Sequence, residues 1–294
     1  MTRWDATNIP DQSGRSFIVT GANSGLGAVA ARALGKAGAE VVLACRDVAK
    51  GEKVAADIGA RARVARLDLA DLSSVREFAA GIEGAHVLIN NAGIMAVPLG
   101  RTADGFERQI GTNHLGPFAL TGLLLDRIAE RVVTVSSGAH AAGSIDLADL
   151  NWERRPYRRW RAYGQSKLAN LLFAYELQRR LTAAGSTKLS VAAHPGYAAT
   201  ELQSHTESFL DALMGVGNRI FAQSAEMGAL PELYAATSPE AQGGGYYGPG
   251  SFGGLRGYPA KSGSTKESRD ETVAAGLWEL SEKLTGVSFA LPTP

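Results

Sequence analysis

A strand-like run, Phe17-Ile18-Val19, leads directly into Thr20-Gly21-Ala22-Asn23-Ser24-Gly25-Leu26-Gly27, and an Ala-rich, helix-like stretch follows from Ala28 to Ala37. Few folds accept that order. A glycine-rich turn between strand and helix lets the backbone approach an anion closely. The first N–H groups of the helix and its positive dipole end then face that anion. A dinucleotide's pyrophosphate is the group such a turn accommodates.

The rest of the chain continues the pattern. Strand candidates are Ser16–Thr20, Glu40–Cys45, Arg63–Leu67, His86–Asn90, Arg131–Ser136 and Leu189–His194. Helix candidates lie between them at Gly25–Ala37, Ala49–Ile58, Leu72–Gly81, Gly105–Arg127 and Ala162–Ala183. Most strands are near-continuous apolar runs, as in a parallel sheet covered on both faces. Alternating strands and helices predict right-handed crossovers and a Rossmann-type, doubly wound α/β sheet. Beyond His194, Ser204–Phe221 and Ala225–Ala236 read as helices, and Ser268–Leu284 as a last helix. Gly243–Gly257 reads as a glycine-rich loop that closes the sheet and borders a pocket. No linker-like segment interrupts the chain, so one domain is expected over 1–294. Its cofactor-binding and catalytic core would span 14–200, with a lid and loop region over 201–265. Phe209, Leu210, Leu213, Met214, Ile220 and Phe221 are candidates for an apolar lid.

Thirty basic and 29 acidic residues leave a net charge of +1, which gives no footprint for nucleic acid. The single cysteine, Cys45, cannot form an internal disulfide. Met1 to Arg15 is polar, without the apolar core of a signal peptide. No stretch approaches the roughly 20 apolar residues of a membrane span. A cytoplasmic protein is expected. His114, His140 and His194 lack metal-ligand spacing and read as packing residues, with His140 close to Ser137. The stretch Arg154–Arg161 is either a solvated loop or a basic rim that attracts an acidic ligand.

Ligands of such sheets bind beyond the carboxyl ends of the strands. A motif follows each expected strand there: Gly21–Gly27, Arg46, Asp68, Asn90–Gly93, Ser136-Ser137 and Pro195-Gly196. Tyr163 and Lys167, four apart on a strong helix pattern, share one helix face. A free tyrosine has a pKa of about 10, and a neighbouring ammonium favours its phenolate. The pair can therefore exchange a proton with a carbonyl oxygen.

Taken together and in this order, Thr20–Gly27, Asn90-Asn91-Ala92-Gly93, Asn113, Ser136-Ser137, Tyr163-Gly164-Gln165-Ser166-Lys167 and Pro195-Gly196 resemble the short-chain dehydrogenase/reductase superfamily over nearly the whole chain. Ser166-Lys167-Leu168-Ala169-Asn170-Leu171-Leu172-Phe173 and Gly111-Thr112-Asn113-His114-Leu115-Gly116 resemble one branch of it. That branch holds retinol dehydrogenases, the WW-domain oxidoreductase and protochlorophyllide reductases. The resemblance implies that Tyr163 is the proton donor or acceptor and that Lys167 tunes it and holds the nicotinamide ribose. Ser137, with Ser136 ranked second, would bond the substrate carbonyl. Asn113 would anchor a relay water. Pro117 stands where this branch more often has histidine. Lacking an N–H, it would leave the Asn113 carbonyl free for that water, or simply kink the helix.

For the cofactor, the resemblance implies contacts from Gly21, Asn23, Ser24, Gly25, Leu26, Gly27, Arg46, Asp68, Leu69, Asn90, Ala92, Gly93, Tyr163, Lys167, Pro195, Gly196 and Thr200. Arg46 resembles the residue that accommodates a 2′-phosphate, and Cys45 occupies the place of the acid that selects NAD. NADP(H) is therefore expected, with NAD(H) left open because Asp47 is adjacent and Ser24 replaces a second basic residue. The implied activity interconverts a carbonyl and an alcohol on a small, hydrophobic substrate. The alternatives are reduction of a carbon–carbon double bond and a non-catalytic NADP(H) sensor. The N-terminal anchor of many retinol dehydrogenases is not seen, so a retinoid is not carried over. A homodimer through the helices of Asn113 and Tyr163 is the family habit, placed in doubt by the enlarged loop before Tyr163.

Overall fold

The computed structural model describes residues 3–197 and 223–291. The six expected strands form as β1 (Ser16–Thr20), β2 (Glu40–Cys45), β3 (Ala62–Arg66), β4 (Ala85–Asn90), β5 (Ile128–Val135) and β6 (Leu189–Ala193). Two more follow, β7 (Tyr246–Ser251) and β8 (Arg256–Lys261), and all eight make one sheet in the order β3-β2-β1-β4-β5-β6-β7-β8. Every pairing is parallel except β7 with β8. Alternate residues feed the two faces. Ile18, Val42, Leu88 and Val132 join one buried cluster, while Phe17, Val19, Val87 and Val133 join the other. That double burial is why the strands read as unbroken apolar runs.

Helices α1 (Gly25–Lys36), α2 (Val48–Ile58) and α3 (Leu72–Ala80) follow the first three strands. Asp47 and Asp71 cap α2 and α3 with their carboxylates. The strand order reverses between β1 and β4, which opens the crevice where a ligand can lie across the strand ends.

Two expectations need correction. The expected helix Gly105–Arg127 is composite: α4 (Arg108–Ile110), a π-helical turn (Gly111–Leu115), α5 (Gly116–Leu124) and a final 3₁₀ turn. The wide turn is closed by the Gly116 N–H donating to the Gly111 carbonyl, just before Pro117, which has no N–H to give. The expected loop Gly243–Gly257 instead carries all of β7 and the turn into β8. Only Tyr246 and Tyr247 pair with β6, at Ala192 and Ala193, so Pro249 lies beyond that ladder. It faces Pro259 on β8, the edge strand, where prolines are tolerated.

The long helix α6 (Arg159–Ala183) meets α5 through Phe173 and Phe118, whose ring centres lie 5.5 Å apart, and α7 (Ala225–Thr237) and α8 (Glu271–Thr285) follow. The α8 helix lies over α5 and α6. Trp278 on α8 meets Phe118 on α5 edge-on at 5.2 Å and stacks on Phe173 of α6 at 5.8 Å, and Phe289 closes the cluster. Burying each such side chain contributes about 1.5–3 kcal/mol. A homodimer through α5 and α6 would have to displace α8. Among the described residues no helix is long and apolar enough to cross a membrane. Thr200 and the expected lid Ser204–Phe221 lie outside the described residues.

Candidate active site

The glycine turn is built as its sequence requires. Gly21 and Gly25 take positive φ, +68° and +53°. A Cβ on Gly27 would stand 2.4 Å from Asn91 Nδ2 and 2.6 Å from the Gly21 carbonyl oxygen, so only glycine lets α1 come this close. The Thr20 hydroxyl accepts from the Asn91 and Ala92 amides, and Asn91 Nδ2 donates to the Thr20 carbonyl, locking the ends of β1 and β4 together. No side chain caps α1, whose first turn opens beside the cleft.

That cleft has a volume of about 360 Å³. Gly21, Asn23, Ser24, Gly25, Leu26 and Gly27 line it, as do Asp68, Leu69, Ala92, Gly93, Tyr163, Lys167 and Pro195. Asp68 Oδ1 accepts from the Ala70 amide, while the α3 cap is Asp71. Arg46 and Cys45 line the cleft beyond β2. The Cys45 thiol is pushed up to about 11, chiefly by burial, so it stays protonated. Asp47 also borders the cleft, but Oδ1 of its carboxylate accepts the Lys50 amide as the α2 cap. Lys50 itself lines the same corner and supplies the second cation that the sequence reading missed. Its position, four residues after Arg46 in the first turn of α2, was the available signal.

At the chemical end, the Ser137 hydroxyl lies near the Tyr163 phenol and favours its phenolate. Ser136 does something else: its hydroxyl donates to the Lys167 carbonyl at 2.7 Å, which pins α6 to the end of β5. The ammonium of Lys167 lies 5.8 Å from the centre of the Tyr163 ring and donates to the Val135 carbonyl. Burial lowers Lys167 to about 8. Tyr163, which the sequence suggested would be lowered by that ammonium, is instead raised by burial, with the nearby Ser137 hydroxyl pulling the other way. Asn113 clamps the segment after Gly93: its Oδ1 accepts the Ile94 amide, and its Nδ2 donates to the Ile94 carbonyl and to Ser166 Oγ. A Cβ on Gly93 would stand 3.1 Å from Asn113 Oδ1 and 3.4 Å from Lys167 Nζ.

Two expected cofactor contacts sit elsewhere, while the histidines pack as expected. Asn90 is buried and turned into α5, donating to Thr121, so it does not line the cleft; Asn91 does. Gly196 also stands back from it, at φ +67° against the Leu255 carbonyl. His114 is a packing residue between Phe118 and Phe173, bonded to Ser281 and lowered to about 3 by burial. His140 and His194 are likewise buried, His140 against the Ser137 carbonyl and His194 against Ser262. Among the described residues no three His, Cys, Asp or Glu side chains could hold a metal ion.

Residues 15–210 match the short chain dehydrogenase family. The chain belongs to that family. It is 44% identical to retinol dehydrogenase 13 of Homo sapiens, an alignment covering 93% of this chain and 85% of the relative. A crystal structure of an uncharacterized Mycobacterium paratuberculosis protein superposes with a TM-score of 0.87 at 52% identity, covering 99% of this chain and all of the other. A second, described as an NAD(P)-dependent gluconate 5-dehydrogenase from Beutenbergia cavernae with bound NADP, has a TM-score of 0.63 at 25% identity, covering 81% and 96%. The short-chain dehydrogenase cleft suits a nicotinamide dinucleotide on this structure's own terms. An uncapped helix start sits over a close glycine turn, and the buried Tyr163 and Lys167, with the half-buried Ser137 near the phenol, complete the site. The protein is an NAD(P)-dependent oxidoreductase that acts on a small molecule.

Proposed function

We propose that this short-chain dehydrogenase interconverts an aldehyde or ketone and its alcohol, prefers NADP(H), and works on an apolar substrate. The observation that carries the reading is that Arg46 and Lys50, neither in an ion pair among the described residues, line the same cleft as Tyr163 and Lys167, with Ser137 near the phenol. Arg46 and Lys50 supply two cations for a 2′-phosphate, while the nearby carboxylate of Asp47 is engaged as a helix cap. When bound, the cofactor supplies the hydride. Ser137 orients the carbonyl oxygen toward the phenol. Tyr163, raised by burial, holds its proton at neutral pH and is set to donate it, which favours reduction. Lys167 holds positive charge beneath the ring and steadies the phenolate that remains. Asn113 fixes the wall that carries Gly93, and its backbone carbonyl is our candidate for a relay water.

Apolar substrates are favoured by the likeness to retinol dehydrogenase 13, so retinaldehyde belongs among the compounds tried. A cytoplasmic setting is part of the same proposal and is checked by fractionating cells. The deciding experiment is an NADPH-oxidation screen against aldehydes, ketones and quinones, with NADH in parallel. Turnover of carbonyls with a higher kcat/KM for NADPH supports the proposal. Equal kcat/KM values for the two cofactors would overturn the preference. Reduction of only a conjugated carbon–carbon bond, or cofactor binding with no turnover, would overturn the reaction.

A further inference from the structure

A second cavity, about 350 Å³, lies at the N-terminal end of α6 and is lined by Ser144, Trp152, Arg155, Pro156, Arg158 and Arg161. No carboxylate lines it. Arg155 is neutralised by Asp149 and Asp146 and stacks on Trp152 with its guanidinium 3.9 Å from the ring centre. Arg158 and Arg161 have no ion-pair partner among the described residues, so the cavity carries uncompensated positive charge. Trp152 is 7% exposed, and its indole N–H is buried without a hydrogen-bond partner. That N–H is closed off from the cavity, and Trp152 serves as the platform on which the Arg155 guanidinium lies. The helix start beside it has no side-chain cap, since Arg158 stands at the cap position.

Every polar group the cavity offers through its unpaired side chains is therefore a donor or a cation, apart from the adaptable hydroxyl of Ser144. Planar guanidinium groups match the oxygens of phosphate in paired geometry. We propose that this cavity binds a phosphate-type oxyanion, carried either free in solution or on a lipid headgroup. It is separate from the cofactor cleft. Arg158, Arg161 and Gln165 follow one another at helical spacings of three and four, while Tyr163 falls on another face. Arg155 joins the cavity to the catalytic helix by donating to Gln165 Oε1 at 2.6 Å.

The test titrates inorganic phosphate into the full chain by calorimetry, in an Arg46→Gln, Lys50→Gln background that removes the cations of the cofactor cleft. One saturable site is expected. It should weaken at least tenfold on adding Arg158→Gln with Arg161→Gln. Circular dichroism melts that match those of the background protein serve as the folding control for the Gln variants. In parallel, the chain is sedimented with vesicles of phosphatidylcholine, alone or mixed with phosphatidic acid. Phosphate binding in solution supports the proposal with a free anion. Arginine-dependent sedimentation with phosphatidic acid alone supports it with a headgroup. Neither response, or binding indifferent to Arg158 and Arg161, would overturn it.

Discussion

Replacing the buried lysine of the site should make the cofactor-free protein more stable. Lys167 is 4% exposed, and burial lowers it from the usual 10.5 to about 8. Between those values the unfolded chain holds a proton that the folded protein releases, so stability rises with pH across that window and the full cost is present below it. At pH 7 the cost of keeping Lys167 charged works out at about 3 kcal/mol. Lys167→Met keeps the stem and removes the charge. The Val135 carbonyl that Lys167 bonds keeps a second donor, Asn170 Nδ2 at 3.1 Å, so no acceptor is stranded. At roughly 2 °C per kcal/mol for a domain of this size, Tm at pH 7 should rise by about 6 °C. By pH 9.5 the advantage should shrink to about 1.5 kcal/mol as the wild type sheds its proton. Circular dichroism melts of the cofactor-free wild type and variant at the two pH values measure this, alongside a turnover assay in which the variant should be inactive. A variant no more stable than wild type at pH 7, or an advantage that stays constant with pH, would refute the reasoning.

Three further outcomes follow from the site. Tyr163→Phe should lower kcat by about 10²–10⁴-fold, the usual worth of a placed general acid, while NADPH titration by fluorescence stays within a factor of a few. Near wild-type turnover would remove Tyr163 from the mechanism. Arg46→Gln should raise the KM for NADPH about tenfold or more and leave the KM for NADH nearly unchanged, since a charge-assisted bond to phosphate is worth roughly 1.5–3 kcal/mol; equal changes for both cofactors would count against a 2′-phosphate site. Gly93→Ala places a methyl 3.1 Å from Asn113 Oδ1 and 3.4 Å from Lys167 Nζ. It should cut kcat/KM by about tenfold or more through misplacement of these groups, with Tm nearly unchanged.

The parallel core was legible because its central strands are buried on both faces, which leaves an apolar run such as Glu40–Cys45; β3, at the edge and largely open, is the exception. The outer hairpin was not. Tyr246-Tyr247-Gly248-Pro249-Gly250-Ser251 has the composition of a loop, and it becomes a strand because the edge of β6 offers partners at Ala192 and Ala193. In the site, the glycine turn and the Tyr163–Lys167 pair were visible because they come with the other motifs in a fixed order, a context that the four-residue spacing alone does not supply. Asn90 was misplaced because its strand register alone does not say which of two adjacent asparagines turns toward the cleft; the Thr121 hydroxyl on α5 decides that. The direction of the Tyr163 shift also needed three dimensions, since a residue pair carries no information about how dry its surroundings are.

Trp278 and Phe289 sit on the same chain as the two helices they cover. A face closed by a partner subunit opens on dilution, because the partner's occupancy obeys mass action. A face closed by the chain's own last helix does not. Cofactor cleft and catalytic helix should therefore stay assembled at any protein concentration. By the same logic, a stop codon placed before Glu271 would turn a concentration-independent fold into one that exposes Phe118 and Phe173 and depends on what it meets.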